Sequence, residues 1–377
     1  PPSNMPLPQP LGHTDVFMDD YIQLGQGGPK RMTALRRHLL HAVDQVLATP
    51  EVSPHPRNEA ISLKKLKQGD GSWATRKVVL GWVLDTLRQT IELPPHRKLA
   101  LAQIFADLNG KRRVSAKKWH SILGKLRFVS TAIPGSSGLF CALQLALNRA
   151  SDGRIRITQS LCHHLDEFAR LAADLRHRPT HLAEIVPQKP TYLGATDAAK
   201  AGMGGIFFDP SGQGYLWRHP FPRAVQERLV LADNPTGDIT NSDLEQAGQL
   251  GQASVIAASF PVTYTTIATC SDNTPALSRL SKGAISSDGA GARLCGYACN
   301  HQRLHHYCHL GYFLPGKANV MADDTSHLQH LSDLELLAHF EQHYPQAQPW
   351  QLLQLQPEAA SKLISALLCK QPLPLTL

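Results

Sequence analysis

TYLGATDAA (191–199), GMGGIFFDP (202–210) and GYLWRH (214–219) are three short, mostly apolar stretches closed by Gly and Pro turns. They read as three consecutive strands joined by tight connections. The texture before them is helical, and Pro187 and Pro190 mark a linker between the two. After them, residues 241–256 read as a helix and TYTTIATCSDN (263–273) as a strand rich in β-branched residues. TPALSRLSKG (274–283) gives a short helix, residues 290–306 a longer one, HHYCHLGYFLPG (305–316) a strand and ADDTSHL (322–328) a final helix. The order βββ-α-β-α-α-β-α predicts a mixed sheet with helices packed on it, an α/β arrangement inside a chain that is α+β overall. LSDLELLAHFEQHY (331–344) and EAASKLISALLCK (358–370) are helical stretches without a clear core of their own.

Acidic residues fall at informative places in this pattern. Asp197 lies in the first strand, Glu245 inside the first helix, Asp272 at the end of the fourth strand, and Asp323, with Asp324 beside it, at the start of the last helix. Ligands bind where strand ends and helix starts meet at one edge of such a sheet. Four carboxylates gathered there repel one another unless cations neutralise them. Hard divalent ions with oxygen ligands suit such a set, and Mg²⁺ suits phosphate chemistry. Two ions ~4 Å apart can activate a water and stabilise a leaving oxygen. Any one of these acids alone is an ordinary surface acid; the ordered set is harder to dismiss.

Four stretches, ATDAAKAGMGG (195–205), NSDLEQAG (241–248), CSDNTPALS (270–278) and LPGKANVMADDTSHL (314–328), resemble the RNase H domain of retroelement polyproteins, with DIRS- and gypsy-type retrotransposons nearest. The resemblance implies a five-stranded mixed sheet flanked by helices, and catalytic, metal-binding acids at Asp197, Glu245, Asp272 and Asp323. It implies two Mg²⁺ ions, replaceable by Mn²⁺, and cleavage of the RNA strand of an RNA–DNA hybrid. Asn319 and Ala322 keep the family's spacing to Asp323, so Asp323 matches better than Asp324. Asn273 is implied as a nucleic-acid contact. The family's loop His before the last acid has no counterpart in PGKAN (315–319); His309 and His327 are the nearby candidates.

The residues before this region resemble a reverse transcriptase. FMDD (17–20) is similar to its metal-binding turn, with Asp19 and Asp20 as the carboxylates between two short strands over 15–25. A helix follows over 30–48. VVLGW (78–82) resembles the primer-grip hairpin, implying nucleic-acid contacts at Gly81 and Trp82. By alternation, Val78, Leu80 and Trp82 fall in one arm of that hairpin and Leu87, Gln89 and Ile91 in the other. ELPPHRKLA (92–100) and KKWHSILGKLRFVSTAIPG (117–135) resemble the thumb, with helices over 96–108, 116–131, 138–149 and 158–177. Trp119 and Trp82 read as core or primer-facing, Trp217 as core. Only 16 residues precede Phe17, and none supplies the third carboxylate a polymerase needs, so Asp19 and Asp20 read as a vestigial metal site and no polymerase activity is expected. The implied division is a palm remnant (1–75), a basic helical thumb or connection (76–186), an RNase H-like domain (187–330) and a helical tail (331–377), within a longer polyprotein.

The charge fits a polyanionic partner. The chain carries a net charge of +8, yet residues 61–127 hold 15 Lys/Arg against four acids. Lys111, Arg112, Arg113, Lys117 and Lys118 are candidates to grip phosphates, or else a solvated loop and helix start. Seven cysteines in 377 residues without a regular framework point to a reducing compartment. Cys295, Cys299, His305, His306, Cys308 and His309 crowd one stretch, but their spacing is not that of a zinc knuckle; core cysteines with surface histidines is the better reading. No apolar run reaches the ~18 residues of a membrane span, and PPSNMPLPQP (1–10) is no signal peptide. An intracellular protein, cytoplasmic or nuclear and not secreted, is expected. The rival class is a folded remnant that binds nucleic acid without cutting it.

Overall fold

The computed structural model describes residues 11–18, 20–47, 61–150, 152–282 and 289–368. The chain divides into two compact units between Leu87 and Arg88.

In the first unit, strands Gly12–Phe17 and Asp20–Gly25 form an antiparallel hairpin with Phe17 opposite Asp20. Gln23 Nε2 donates to Leu35 O of the helix Pro29–Leu47 (3.1 Å), which fixes the hairpin on that helix. Strands Arg76–Val79 and Trp82–Asp85 also pair antiparallel. The arms differ from the alternation read over 77–91. Leu80 and Gly81 both have positive φ (48° and 81°) and form the two-residue turn, so Trp82 begins the returning arm opposite Val79. A primed turn of this kind matches the twist of the flanking strands.

The second unit opens with helices Pro95–Leu108, Ala116–Ser130, Phe140–Asn148 and Gln159–His177. Ser115 caps the second of these through Lys118 N. Trp119 is fully buried and donates from Nε1 to Leu143 O (3.0 Å), which makes it core. A short antiparallel pair, Arg113–Ser115 with Arg154–Arg156, bridges the loops between these helices.

The main sheet contains β1 (Tyr192–Ala198), β2 (Gly202–Phe208), β3 (Gly214–Pro220), β4 (Thr266–Ser271), β5 (Cys308–Phe313) and β6 (Gln351–Gln354), in the order β5-β4-β1-β2-β3-β6. The pairs β1–β2 and β2–β3 are antiparallel; β1–β4, β4–β5 and β3–β6 are parallel. It is thus a mixed sheet in an α/β unit, with six strands rather than five. Its helices are α1 (Asn241–Ser259), α2 (Thr274–Lys282), α3 (Ala290–His305), α4 (Val320–His327), α5 (Asp333–His343) and α6 (Pro357–Leu368).

Strand alternation separates two cores. Phe207 and Trp217 point into one with Leu244, Leu250, Leu294 and Leu363, from α1, α3 and α6. Their neighbours Ile206 and Leu216 point into the other with Ala322, Leu336 and Phe340, from α4 and α5. The stretch after residue 330 therefore has a core: α5 seals one face, α6 the other, and β6 extends the sheet. Helix α4 lies directly on β2, because a Cβ at Gly204 would come within 2.5 Å of Thr325 Oγ1.

Pro187 and Pro190 do not separate independent bodies. Arg303 of α3, 1% exposed, ion-pairs with Asp174 of the helix Gln159–His177 and donates to Thr180 Oγ1 (2.6 Å) and Arg178 O (2.8 Å). Arg178 in turn pairs with the buried Glu184 (2.7 Å). A buried charge network tolerates little displacement, since separating its members leaves uncompensated ions.

Candidate metal centre

Strands β1, β4 and β5 are parallel, so their carboxyl ends share one edge of the sheet. Asp197 is the penultimate residue of β1, opposite Gly204 of β2. Asp272 follows the last residue of β4 and is exposed. Glu245 stands in the second turn of α1 and is 2% exposed. One carboxylate oxygen from each of Asp197, Glu245 and Asp272 lies within 4.8 Å of the others, so the three could hold a metal ion. Asp323 falls outside that group, in the first turn of α4, close enough for the charges of Asp197 and Asp272 to act on it.

Electrostatics distinguish these acids. Burial pushes the Glu245 carboxyl up to about 9, and the charges of Asp197 and Asp272 add to the effect. Burial and the same two charges raise Asp323 to about 6, against a smaller opposing pull from His327. Glu245 Oε2 is buried without a hydrogen-bond partner among the described residues. A hard cation would satisfy that oxygen and offset the crowding of like charges.

The surrounding residues hold the acids in place. Ser326 Oγ donates to Asp197 Oδ2, and Asn319 Nδ2 donates to Thr196 O (3.1 Å), tying α4 to β1. Ser326 gave no sequence signal of its own; its position one helical turn beyond Asp323 is the only hint. Asp324 is turned elsewhere: its Oδ2 accepts from His339 Nε2 (2.7 Å) and Tyr344 OH (2.8 Å) of the α5 segment. Asn273 Oδ1 accepts Ala276 N (3.0 Å), an N-terminal bond of α2.

Of the two histidines considered near the acids, His327 is exposed with Nδ1 3.9 Å from Asp197 Oδ2. His309 is buried in β5, bonded to Thr269 Oγ1 (2.9 Å), and burial drives its pKa down to about 3. That corrects the expectation of surface histidines. Cys295, Cys299 and Cys308 are buried, as core cysteines should be, and they join no metal-competent group among the described residues. Trp217 is fully buried.

The remaining candidates belong to other elements. Asp20 is exposed at the start of the second strand of its hairpin; Asp19 lies outside the described residues. Gly81 is in a turn and Trp82 is buried. Lys111, Arg112, Arg113, Lys117 and Lys118 are all exposed, and Lys118 pairs with Asp107 (2.9 Å). Among the described residues no helix is long and apolar enough to cross a membrane.

No family model matches the chain, and no curated protein matches it. Distant structural neighbours exist among solved structures. One is a foamy viral protease-reverse transcriptase dRH in complex with double-stranded DNA, at 15% identity and a TM-score of 0.35, covering 80% of this chain and 46% of that one. A second is the foamy viral protease-reverse transcriptase in complex with an RNA/DNA hybrid, at 14% identity and 0.34, covering 81% and 36%. A third, in complex with double-stranded DNA, gives 13% and 0.28, covering 64% and 45%. The chain spans less than half the length of these structures.

Proposed function

We propose that the chain is a ribonuclease H-type endonuclease that cuts the RNA strand of RNA–DNA hybrids, with Asp197, Glu245, Asp272 and Asp323 holding two Mg²⁺ ions. The observation that carries this reading is the convergence of three acids, from three separate elements, on one 4.8 Å cluster around an unpartnered buried oxygen. Bound divalent ions supply water activation and charge stabilisation for phosphodiester displacement. The chain's own residues do the positioning. Ser326 orients Asp197 by its hydrogen bond. The bonds of Asp324 to His339 and Tyr344 leave Asp323 as the acid of α4 that acts with the trio. His327, exposed with Nδ1 3.9 Å from Asp197 Oδ2, would meet a leaving group or departing product. The hybrid is recognised by its shape and 2′-hydroxyls rather than by base sequence.

The test is a labelled RNA–DNA hybrid incubated with the protein and Mg²⁺. The expected outcome is internal cleavage of the RNA strand, abolished by Asp272→Asn, a variant that still binds hybrid. Binding without cleavage by the unmutated protein would favour a non-catalytic remnant instead.

A further inference from the structure

A hollow of about 550 Å³ lies in the helical region, beside the short strands Arg113–Ser115 and Arg154–Arg156. Arg113, Arg149, Arg154 and Arg156 line it, with Asp152 as its one acid. The ladder explains the crowding. Arg113 lies directly opposite Arg156, and Ser115 opposite Arg154, while Val114 and Ile155 are buried. Three guanidinium groups therefore share the exposed face of one two-stranded ribbon. Like charges directly across a ladder destabilise it. Among the described residues none of the four arginine side chains forms an ion pair or hydrogen bond, and Asp152 Oδ1 is engaged by Arg154 N (3.1 Å). Four exposed arginines thus line one concave surface, and its one acid, Asp152, pairs with none of their side chains among the described residues.

We infer that this hollow is a phosphate-binding site that grips the sugar–phosphate backbone of a nucleic-acid strand. Guanidinium forks match phosphate oxygens two at a time. Arg154 and Arg156 stand two residues apart on one face, roughly 6.6 Å along the strand, a spacing on the scale of successive phosphates. A single free phosphate would occupy one fork and leave the others unneutralised, whereas a strand crossing the ribbon meets all of them. None of its lining residues belongs to the acidic cluster, so binding here calls for neither metal nor cleavage.

The test is fluorescence anisotropy of a labelled 20-base-pair RNA–DNA hybrid titrated with the full chain in EDTA, over a range of salt concentrations. Arg154→Gln/Arg156→Gln is expected to weaken binding about tenfold and to lower the salt dependence by about two phosphate contacts. Arg149→Gln alone gives a smaller loss in the same direction. Arg223→Gln, at an exposed arginine outside the hollow, leaves binding unchanged. Circular dichroism confirms that the double variant is folded. An unaltered affinity and salt slope in the folded double variant overturns the inference. So does displacement of the hybrid by inorganic phosphate or polyglutamate as effective as that by unlabelled duplex. Because no metal is present, a failed cleavage assay leaves this measurement untouched.

Discussion

Glu245 shows how an environment can rewrite a side chain. Its folded pKa is raised to about 9 by burial first and by Asp197 and Asp272 second. An unfolded chain loses that proton near the ordinary glutamate value. Between the two values the folded state binds the extra proton, so stability must fall as pH rises through the window. In EDTA, the melting temperature is expected to decline from mildly acidic to alkaline pH, and Glu245→Gln should flatten the decline. Added Mg²⁺ should flatten it too, by replacing the proton with a cation. An identical slope in the Gln variant, measured by thermal denaturation, would refute this. The acids themselves were legible in sequence because carboxylates are rare in apolar strands and at their ends. Ser326 was not, since a serine one turn beyond Asp323 resembles any helix-surface serine until its contact with Asp197 is seen.

At the scale of elements, α4 carries two adjacent acids. Neighbouring residues on a helix point about 100° apart, and Asp324 meets partners of its own. The α5 segment captures Asp324 through His339 and Tyr344, and this contact holds the orientation of α4. Tyr344 is itself pushed up to about 12, by burial and by its bond to Asp324. Removing its hydroxyl in Tyr344→Phe should cost about 0.5–1.5 kcal/mol, read as a lower urea midpoint with an unchanged slope. Periodicity made the long helices and the three opening strands readable. It misplaced the hairpin turn at Leu80–Gly81, because a leucine at positive φ looks like one more alternating strand residue. It also missed β6, whose four residues QLLQ carry too little pattern. The arginine ribbon was equally invisible, since it exists only once Arg113 is paired with Arg156, far along the chain.

For the whole molecule, the second unit depends on residues far beyond the last acid. Leu363 of α6 is fully buried in the same core as Trp217 and Leu250. Leu363→Ala should lose about 2–5 kcal/mol through the cavity it leaves. Leu334→Ala, at a site 80% exposed, should change little; equal losses in urea melts would show that α6 is not part of the cooperative core. Strand β6 has a different significance. It covers β3 along residues Tyr215–Arg218. A protein cut after residue 330 would keep Asp197, Glu245, Asp272 and Asp323 yet leave the β3 backbone bare on that side, an open row of amide and carbonyl groups that another chain can join. Such a fragment is expected to self-associate on purification, and size-exclusion chromatography against the intact chain would reveal it. Any proteolytic trimming of this protein is thus a question of solubility.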